Sequence, residues 1–237
     1  MKFFYKRMSF CLLLILFVNN IFAQENLNQN TFDLPENEKE EIFVNVKETV
    51  GLLNHYIAQM AKKTNSFNVR DEIRKDDALP LFIKKCEPYN EYHNGKVIHN
   101  KGVKMQIQSK NDKKPINRLM KEYFVNLINL RYKDVIIKST EYWRIHCTDP
   151  ILVEKKDENN ITYKVLATFD QYFEGIRNDS KQKGGEIVNK TIECYINRNT
   201  ILDTNFKKSY EYEIQLGNVR VNHLDSIVDT RLLNIME

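Results

Sequence analysis

The chain has 237 residues, 42% of them hydrophobic and 29% charged, with only seven glycines and five prolines. This composition excludes a chain that is disordered throughout, and the length is enough for one large domain with a sizeable core. The formal net charge of +4 does not mark a nucleic-acid-binding protein, because the basic excess is concentrated at the N-terminus.

The first 23 residues have the pattern of a secretory signal peptide. Three basic residues open the segment: Lys2, Lys6 and Arg7. Residues 10–18 form an uncharged apolar run that is too short to span a bilayer. Ala23 precedes the expected cleavage site, so the mature chain is predicted to start at Gln24. The alternative is an anchor that stays uncleaved.

Cleavage at this site makes the chain nearly neutral. Removing Lys2, Lys6 and Arg7 from the 36 basic residues leaves 33 against 32 acidic residues, a formal charge of +1. We therefore expect export through the general secretory route, to the periplasm or the extracellular space. Neither a nucleic-acid partner nor a transmembrane segment is expected after cleavage.

The remaining chain is predicted to contain a flexible tether, residues 24–37, and a single α+β domain, residues 38–237. Apolar side chains recur at helical spacing between Val46 and Met60. This spacing predicts one long amphipathic helix over residues 38–63. The polar, Asn-rich composition of the segment before it is typical of a tether.

A broken helix is predicted next. Asn68 is a candidate N-cap for a second helix that begins at Val69. Pro80 interrupts that helix because it lacks an amide donor, and the apolar residues around it, 78–83, are predicted to plug the core. Residues 87–102 contain several turn signals and are predicted to form a loop.

A short strand and a second long helix follow. Alternation of Val103, Met105 and Ile107 predicts a strand over residues 103–109. Residues 116–130 carry an apolar stripe with helical spacing, which predicts a helix that begins after Pro115.

Four segments with strand-like alternation dominate the second half of the chain. They are residues 134–147, 161–177, 185–198 and 210–221. Their apolar residues fall on one face and their polar residues on the other, as in a half-buried sheet. Strands of this length are typical of a strongly curved antiparallel sheet. A weakly helical or frayed tail is predicted over residues 224–235.

No motif in the chain specifies a reaction, so no catalytic residue, cofactor or metal is assigned. Acid–base candidates lie on the predicted strands, but their alternation places them on the solvated face: Glu141, Tyr142, Asp170 and Glu193. His146 lies near the end of the first long strand. The histidines His55, His93 and His99 lack neighbouring ligands at metal-binding spacing.

Aromatic residues on the strands are the predicted lining of a binding pocket: Trp143, Tyr163, Phe169 and Phe173. Trp143 alternates with apolar residues and is predicted to be a core or cavity-wall residue. Three cysteines remain after cleavage: Cys86, Cys147 and Cys194. They are either one disulfide with one free thiol, or buried free cysteines that pack as small apolar residues.

The order of these elements resembles the NTF2-like (cystatin-like) α+β cone, and most closely the exported NTF2-like proteins of Bacteroidetes. The resemblance rests on the first helix, the plug at residues 78–83, the long strands and the final segment Tyr212–Val221. It implies a curved antiparallel sheet of long strands wrapped around the long N-terminal helix, with later helices closing the wide end. Enzymes of this class that resemble steroid isomerases or dehydratases place a Tyr, Asp or His inside the cone, and no such set is matched here.

Three functions are therefore expected of the chain. The first is a non-catalytic domain of the cell envelope that binds a small apolar ligand or a protein partner. The second is an enzyme of the isomerase, dehydratase or hydrolase kind, with a pocket near Trp143 and Asp170, Glu193 or His146 as its acid–base residues. The third is a structural or assembly factor of the envelope, which predicts an exposed apolar patch.

Overall fold

The computed structural model describes residues 34–93, 96–108, 112–157, 159–177, 183–202 and 208–226, and the main compact unit begins at Pro35. The predicted signal peptide and residues 24–33 of the predicted tether lie outside the described residues. The architecture is mixed α+β, with a long N-terminal helix and a large mixed sheet of long strands. Within the described part of the chain, no helix is both long and apolar enough to cross a membrane.

Helix α1 runs from Glu36 to Ala61 and confirms the predicted first helix. Its buried apolar residues recur every three or four positions: Ile42, Val46, Val50, Leu53, Ile57 and Met60. This stripe packs against the sheet. It contacts the strands β5 (Tyr132–Ser139), β6 (His146–Cys147), β8 (Asn160–Arg177) and β10 (Lys208–Ser226). Pro35 takes the N-cap position without a side-chain cap, and the helix begins two residues earlier than expected.

Helix α2, Phe67–Glu72, is capped by Ser66, whose hydroxyl accepts a hydrogen bond from the amide of Val69. The predicted Asn68 cap is therefore wrong, because Ser66 holds the extended backbone that a cap requires. A π-helical turn, Ile73–Ala78, and two 3₁₀ turns, Leu79–Leu81 and Ile83–Cys86, complete the segment.

The predicted plug of the core is confirmed. Phe82 is 1% exposed, and its backbone forms an isolated parallel bridge with Leu216 of β10. Its ring packs edge-on against Phe124, with ring centroids 6.0 Å apart. The plug is thereby held between the sheet and the helix that contains Phe124.

Two hairpins occupy the middle of the chain. Strands β1, Tyr89–His93, and β2, Lys96–Asn100, pair where a loop was predicted, because backbone pairing satisfies the polar groups of this segment. Strands β3, Lys104–Ile107, and β4, Ile116–Leu119, form the second antiparallel pair.

Helix α3 spans Met120–Ile128, so the prediction that a helix begins at Ile116 is wrong for its first turn. Residues of β4 pair with β3 instead, from Ile107↔Ile116 to Lys104↔Leu119. The amide of Met120 then donates to the carbonyl of Val103 at 2.8 Å. Pairing with a neighbouring strand overrides the local helical spacing, which continues correctly into α3.

The main sheet contains β4, β3, β10, β9, β8 and β5 in this order, and β6 and β7 also pair with β8. The later strands are β5 (Tyr132–Ser139), β6 (His146–Cys147), β7 (Ile151–Lys155), β8 (Asn160–Arg177), β9 (Lys183–Leu202) and β10 (Lys208–Ser226). The three long antiparallel strands β8, β9 and β10 agree with the predicted segments. The sheet is mixed and not purely antiparallel, because β3 runs parallel to β10.

The first of the predicted long strands is not continuous. Strand β5 ends at Ser139, a 3₁₀ turn covers Tyr142–Arg144, and β6 contains only two residues. Thr140 ends the pairing by donating from its amide to the carbonyl of Asp170 at 2.9 Å. This break turns the chain out of the sheet just before Trp143.

Alternation divides the sheet into an inner face, which contacts α1, and an outer face. On β8 the inner face includes Tyr163, Val165, Ala167 and Phe169, all at most 4% exposed. A register shift between Leu216 and Val219 of β10 marks a bulge in the pairing with β9. Such a bulge bends a long strand.

Of the predicted C-terminal tail, residues 224–226 belong to β10, and residues 227–235 lie outside the described residues.

Candidate functional site

A cavity of about 450 Å³ lies between α3 and the inner face of the sheet. Its apolar and aromatic walls come from β3, α3, β5, β8 and β9: Ile107, Tyr123, Leu127, Leu130, Tyr132, Ile137, Phe173 and Val188. Charged and amide side chains complete the lining: Gln108, Asp112, Arg118, Asn126, Gln171, Glu186 and Lys190. The lining therefore combines an apolar wall with seven polar or charged side chains, and an apolar wall with polar groups that orient the ligand is a feature of small-molecule sites.

The aromatic part of the wall is built by cross-strand packing. Tyr132 of β5 and Phe173 of β8 lie edge to face, with ring centroids 5.8 Å apart and an interplanar angle of 72°. Gly175 permits this approach, because a Cβ atom at its position would lie 2.8 Å from the Tyr132 ring. The edge-to-face pair gives the cavity a rigid apolar side.

Lys190 is the most unusual residue of the cavity. It lies on the inner face of β9 between Val188 and Ile192, and it is 5% exposed. Its Nζ donates to Gln171 Oε1 at 2.7 Å, which is its one hydrogen bond within the described part of the chain. No described carboxylate forms an ion pair with it. Burial lowers the pKa of Lys190 to about 8, because a desolvated ammonium is costly without a counterion.

A short polar chain continues from Lys190 towards α1. Gln171 Nε2 donates to Asn54 Oδ1 at a long 3.5 Å. Asn54 is 6% exposed, and its Nδ2 has no hydrogen-bond partner among the residues that the structure describes. Three polar side chains from α1, β8 and β9 therefore meet within the apolar core, next to the cavity.

On the other side of this chain, an open groove of about 580 Å³ separates α1 from the end of β5. Its lining includes Glu48, Asn54, His55, Ser139 and Glu141. Ser139 Oγ, like Asn54 Nδ2, is buried without a partner in the described part of the chain. This groove is more open and more polar than the cavity that contains Lys190.

The predicted pocket residues do not come together. Phe173 lines the cavity, whereas Phe169, 4% exposed, and Tyr163, fully buried, are core residues of β8. The Tyr163 hydroxyl accepts a hydrogen bond from Arg198 Nη1 at 3.5 Å, near the N-terminal end of α1. Trp143 is 56% exposed and stacks edge-on against Tyr142, so the expectation that it is a core residue is wrong. The break after β5 is the physical reason.

The acid–base candidates are also dispersed. Asp170 lies on the outer face, where its Oδ1 accepts from Asn189 Nδ2 at 2.6 Å. Glu193 is 5% exposed on the same outer face and accepts from Lys164 Nζ at 2.9 Å. His146 is exposed on β6. None of these three residues lines the cavity that contains Lys190.

Within the described ranges, no group of three or more His, Cys, Asp or Glu side chains is arranged to hold a metal ion. His99 Nδ1 lies 2.7 Å from Asn90 Oδ1 on the exposed hairpin. Cys86, Cys147 and Cys194 are free, and burial raises the pKa of Cys86 to about 12 and of Cys147 to about 11. These thiols are therefore weak nucleophiles at neutral pH.

Sequence reasoning missed the two residues that define the site. Lys190 interrupts the apolar alternation of β9, and Gln171 stands between Phe169 and Phe173 on the inner face of β8. A polar residue at an inner position of such a strand is the signal that could have identified both.

Comparison of the chain with protein-family models, curated proteins and solved structures gives no match.

Proposed function

We propose that this chain is an exported, non-catalytic domain of the NTF2-like cone type, which binds a small amphiphile with an apolar body and an anionic head group. The apolar body would lie against Phe173, Tyr132 and Leu127, and the anion would bind Lys190. The observation that carries the proposal is the buried Lys190 ammonium, which faces an apolar-walled cavity and has no carboxylate partner in the described chain.

The electrostatic argument favours an anionic ligand. A buried ammonium without a counterion is unfavourable, and at neutral pH a pKa of about 8 leaves Lys190 largely protonated. A bound carboxylate or similar anion would supply the missing charge and accept the N–H donors that Gln171 leaves free. The cavity volume lies in the range of about 300–1,000 Å³ that is usual for small-molecule sites.

The cone assignment is supported by the order of elements and by the packing of α1. Strands β5, β6, β8 and β10 all belong to one sheet, in which β5 is an edge strand, and all four contact α1. Residues of α3 line the cavity. Bulging of β10 at Gly217 and Asn218 is the type of irregularity that curves a sheet. Export is supported by the basic and apolar pattern of the first 23 residues, and N-terminal sequencing of the secreted protein is expected to start at Gln24.

The enzyme alternative has less support from this geometry. Asp170 and Glu193 point to the outer face and are held by Asn189 and Lys164, away from the cavity. That alternative requires an acid and a base that converge on one pocket, and Asp170 and Glu193 do not form such a pair.

Calorimetric titration with decanoate and with decanol tests the proposal. Wild-type protein is expected to bind decanoate with one site per chain and decanol more weakly. Lys190→Met is expected to weaken decanoate binding by about tenfold to a hundredfold, the usual effect of losing a hydrogen bond to a charged group, and to leave decanol binding unchanged.

A pair of tryptophan substitutions tests the location. Leu130→Trp places a large ring in the cavity, and decanoate binding should be lost. Val125→Trp is the matched control, because Val125 is 43% exposed on α3 and lies outside the cavity lining. Equal binding by both variants, or no binding of decanoate by the wild type, would refute the proposed site.

A further inference from the structure

We propose that Lys190 is also a covalent capture residue, whose amine forms a reversible imine with an aldehyde or ketone that carries an apolar chain. This inference rests on the proposed function, because the apolar chain must enter the same cavity. It adds a second, uncharged class of ligand and a chemical reaction at a named atom.

The position of the amine supports this reaction. Lys190 lines the apolar-walled cavity, so a ligand in the cavity can reach its Nζ. One hydrogen bond to Gln171 Oε1, at 2.7 Å, orients the amine. Desolvated lysines in apolar pockets are the ones that serve as imine-forming nucleophiles. A carbonyl compound whose apolar tail lies against the aromatic wall would bring its carbonyl carbon to Nζ of Lys190.

Three other lysines of the described chain are held differently. Lys164 Nζ is paired with Glu193 on the outer face at 2.9 Å. Lys63 Nζ donates to two backbone carbonyls, those of Ile128 and Leu130. Lys121 forms an ion pair with Glu87. Buried Lys190, without a carboxylate, is the better nucleophile of this set.

The reaction balances without an oxidant or reductant. The neutral amine attacks the carbonyl carbon, a C–N bond forms, and the carbonyl π bond breaks to give a carbinolamine after proton transfer from nitrogen to oxygen. Loss of the hydroxyl group and of the second nitrogen proton as water then gives the C=N bond. Hydrolysis reverses the sequence and releases the carbonyl compound.

The fraction of neutral amine sets the pH dependence. Burial lowers the pKa of Lys190 to about 8, so the neutral fraction rises about tenfold between pH 7 and pH 9. The other titratable groups that line the cavity are Asp112, Arg118, Tyr123, Tyr132 and Glu186. None of them forms an ion pair with Lys190 in the described chain. Gln171 is a positioning residue in this scheme.

Reductive trapping tests the inference on the intact mature chain. Decanal and cyanoborohydride are added at low aldehyde excess, and peptide mapping locates any decyl group. We expect one adduct per chain at Lys190, blocked by excess decanoate. The preference for Lys190 over exposed lysines should be about tenfold greater at pH 7 than at pH 9, because the neutral fraction of a lysine with the ordinary pKa of 10.5 rises about a hundredfold over this range. Lys190→Arg, which keeps the charge without the nucleophile, and Lys190→Met should both lose the adduct.

The outcomes separate the two proposals. If decanoate binds but decyl groups spread equally over exposed lysines in the wild type and in both variants, imine formation at Lys190 is overturned and the binding proposal stands. If decanoate does not bind and no site is labelled preferentially, both proposals fail. Because mapping of the wild type locates the adduct directly, the test does not depend on folding of the variants.

Discussion

Gln171 Oε1 accepts a 2.7 Å hydrogen bond from Nζ of Lys190, and this bond joins two polar side chains on a face of the sheet that is otherwise largely apolar. The two residues lie on adjacent strands, β8 and β9, and both are at most 6% exposed. The amide oxygen is the only described protein group that compensates the buried ammonium. Gln171 therefore determines how well the folded protein tolerates Lys190.

Replacing Gln171 with leucine is expected to lower the free energy of unfolding by about 1–3 kcal/mol at pH 7, because Lys190 loses its acceptor while remaining buried. Urea unfolding measures this change. Gln215→Leu is the control, since its amide bonds an exposed neighbour, Glu213, at 2.9 Å. The double variant Gln171→Leu with Lys190→Met should be more stable than Gln171→Leu alone. An unchanged stability of Gln171→Leu would contradict the assigned hydrogen bond.

The stripe of α1 and the alternation of β8, β9 and β10 were predictable because each depends on a local period. The burial of Lys190 and Gln171 was not predictable from a local period alone, although both occupy inner positions of the alternation. A lysine on a strand face is normally solvated, whereas Lys190 is buried beside a cavity that residues of β3, α3 and β5 also line. The cavity is a tertiary feature that no single strand encodes.

The errors at β4 and β5 have the same origin. Ile116–Leu119 has helical spacing but pairs with β3, and the segment around Trp143 alternates like a strand but leaves the sheet after Ser139. In both places the backbone bonds to a distant segment, which a local pattern does not contain. Trp143 was consequently assigned to a pocket wall and is exposed instead.

A part-buried ion pair at the start of α1 yields a second prediction. Glu38 Oε2 accepts from Arg198 Nη1 at 3.3 Å and from the Tyr212 hydroxyl at 2.8 Å. The Glu38 and Arg198 side chains are 14% and 10% exposed. Glu38→Ala leaves the guanidinium buried without a carboxylate, so the free energy of unfolding is expected to fall by about 3 kcal/mol.

Chemical unfolding at pH 7 checks this value against Glu36→Ala. Glu36 lies in the same first turn of α1, so both variants lose a similar interaction with the helix dipole. Its ion pair with Lys39 is exposed, at 3.5 Å with a Glu36 side-chain exposure of 77%. A cost of roughly 0.5 kcal/mol is expected there. Equal effects of the two substitutions would mean that burial of the Glu38 pair contributes nothing.

The outer face yields a prediction about acid stability. Burial raises the pKa of Glu193, but hydrogen bonds and charge from Lys164, together with hydrogen bonds from Asn218, outweigh it and hold the pKa below the ordinary 4.5. The stabilisation from the carboxylate is therefore present above pH 4.5, and it is lost as the pH falls through the lowered pKa of the folded state. Glu193→Gln should reduce stability at neutral pH.

The difference between wild type and Glu193→Gln should shrink as the pH is lowered below about 4.5, and unfolding curves between pH 3 and pH 7 measure it. Glu154→Gln serves as the control, because its side chain is 55% exposed in a loose pair with Lys156. A constant difference across this range would show that Glu193 contributes through packing and not through its charge.

Lys190→Met separates the functional role of this lysine from a structural one. Because burial lowers the pKa of Lys190 from 10.5 to about 8, the unfolded state binds the proton more tightly than the folded state does. The resulting penalty, at most about 3.5 kcal/mol at roughly 1.4 kcal/mol per pKa unit, is fully present below pH 8. It disappears as the pH rises past 10.5. At pH 7 the methionine variant should therefore be more stable than the wild type.

This stability gain should decrease between pH 8 and pH 10.5, as measured by urea unfolding across that range. Lys164→Met is the matched control on the outer face of β8. Burial lowers the pKa of Lys164, but its pairing with Glu193 outweighs this and raises the pKa, so removing Lys164 should destabilise the protein at pH 7. A variant that gains stability and loses decanoate binding identifies a residue kept for its ligand. If Lys190→Met is destabilised as Lys164→Met is, the buried ammonium stabilises the fold, and the argument for an anionic ligand loses its basis.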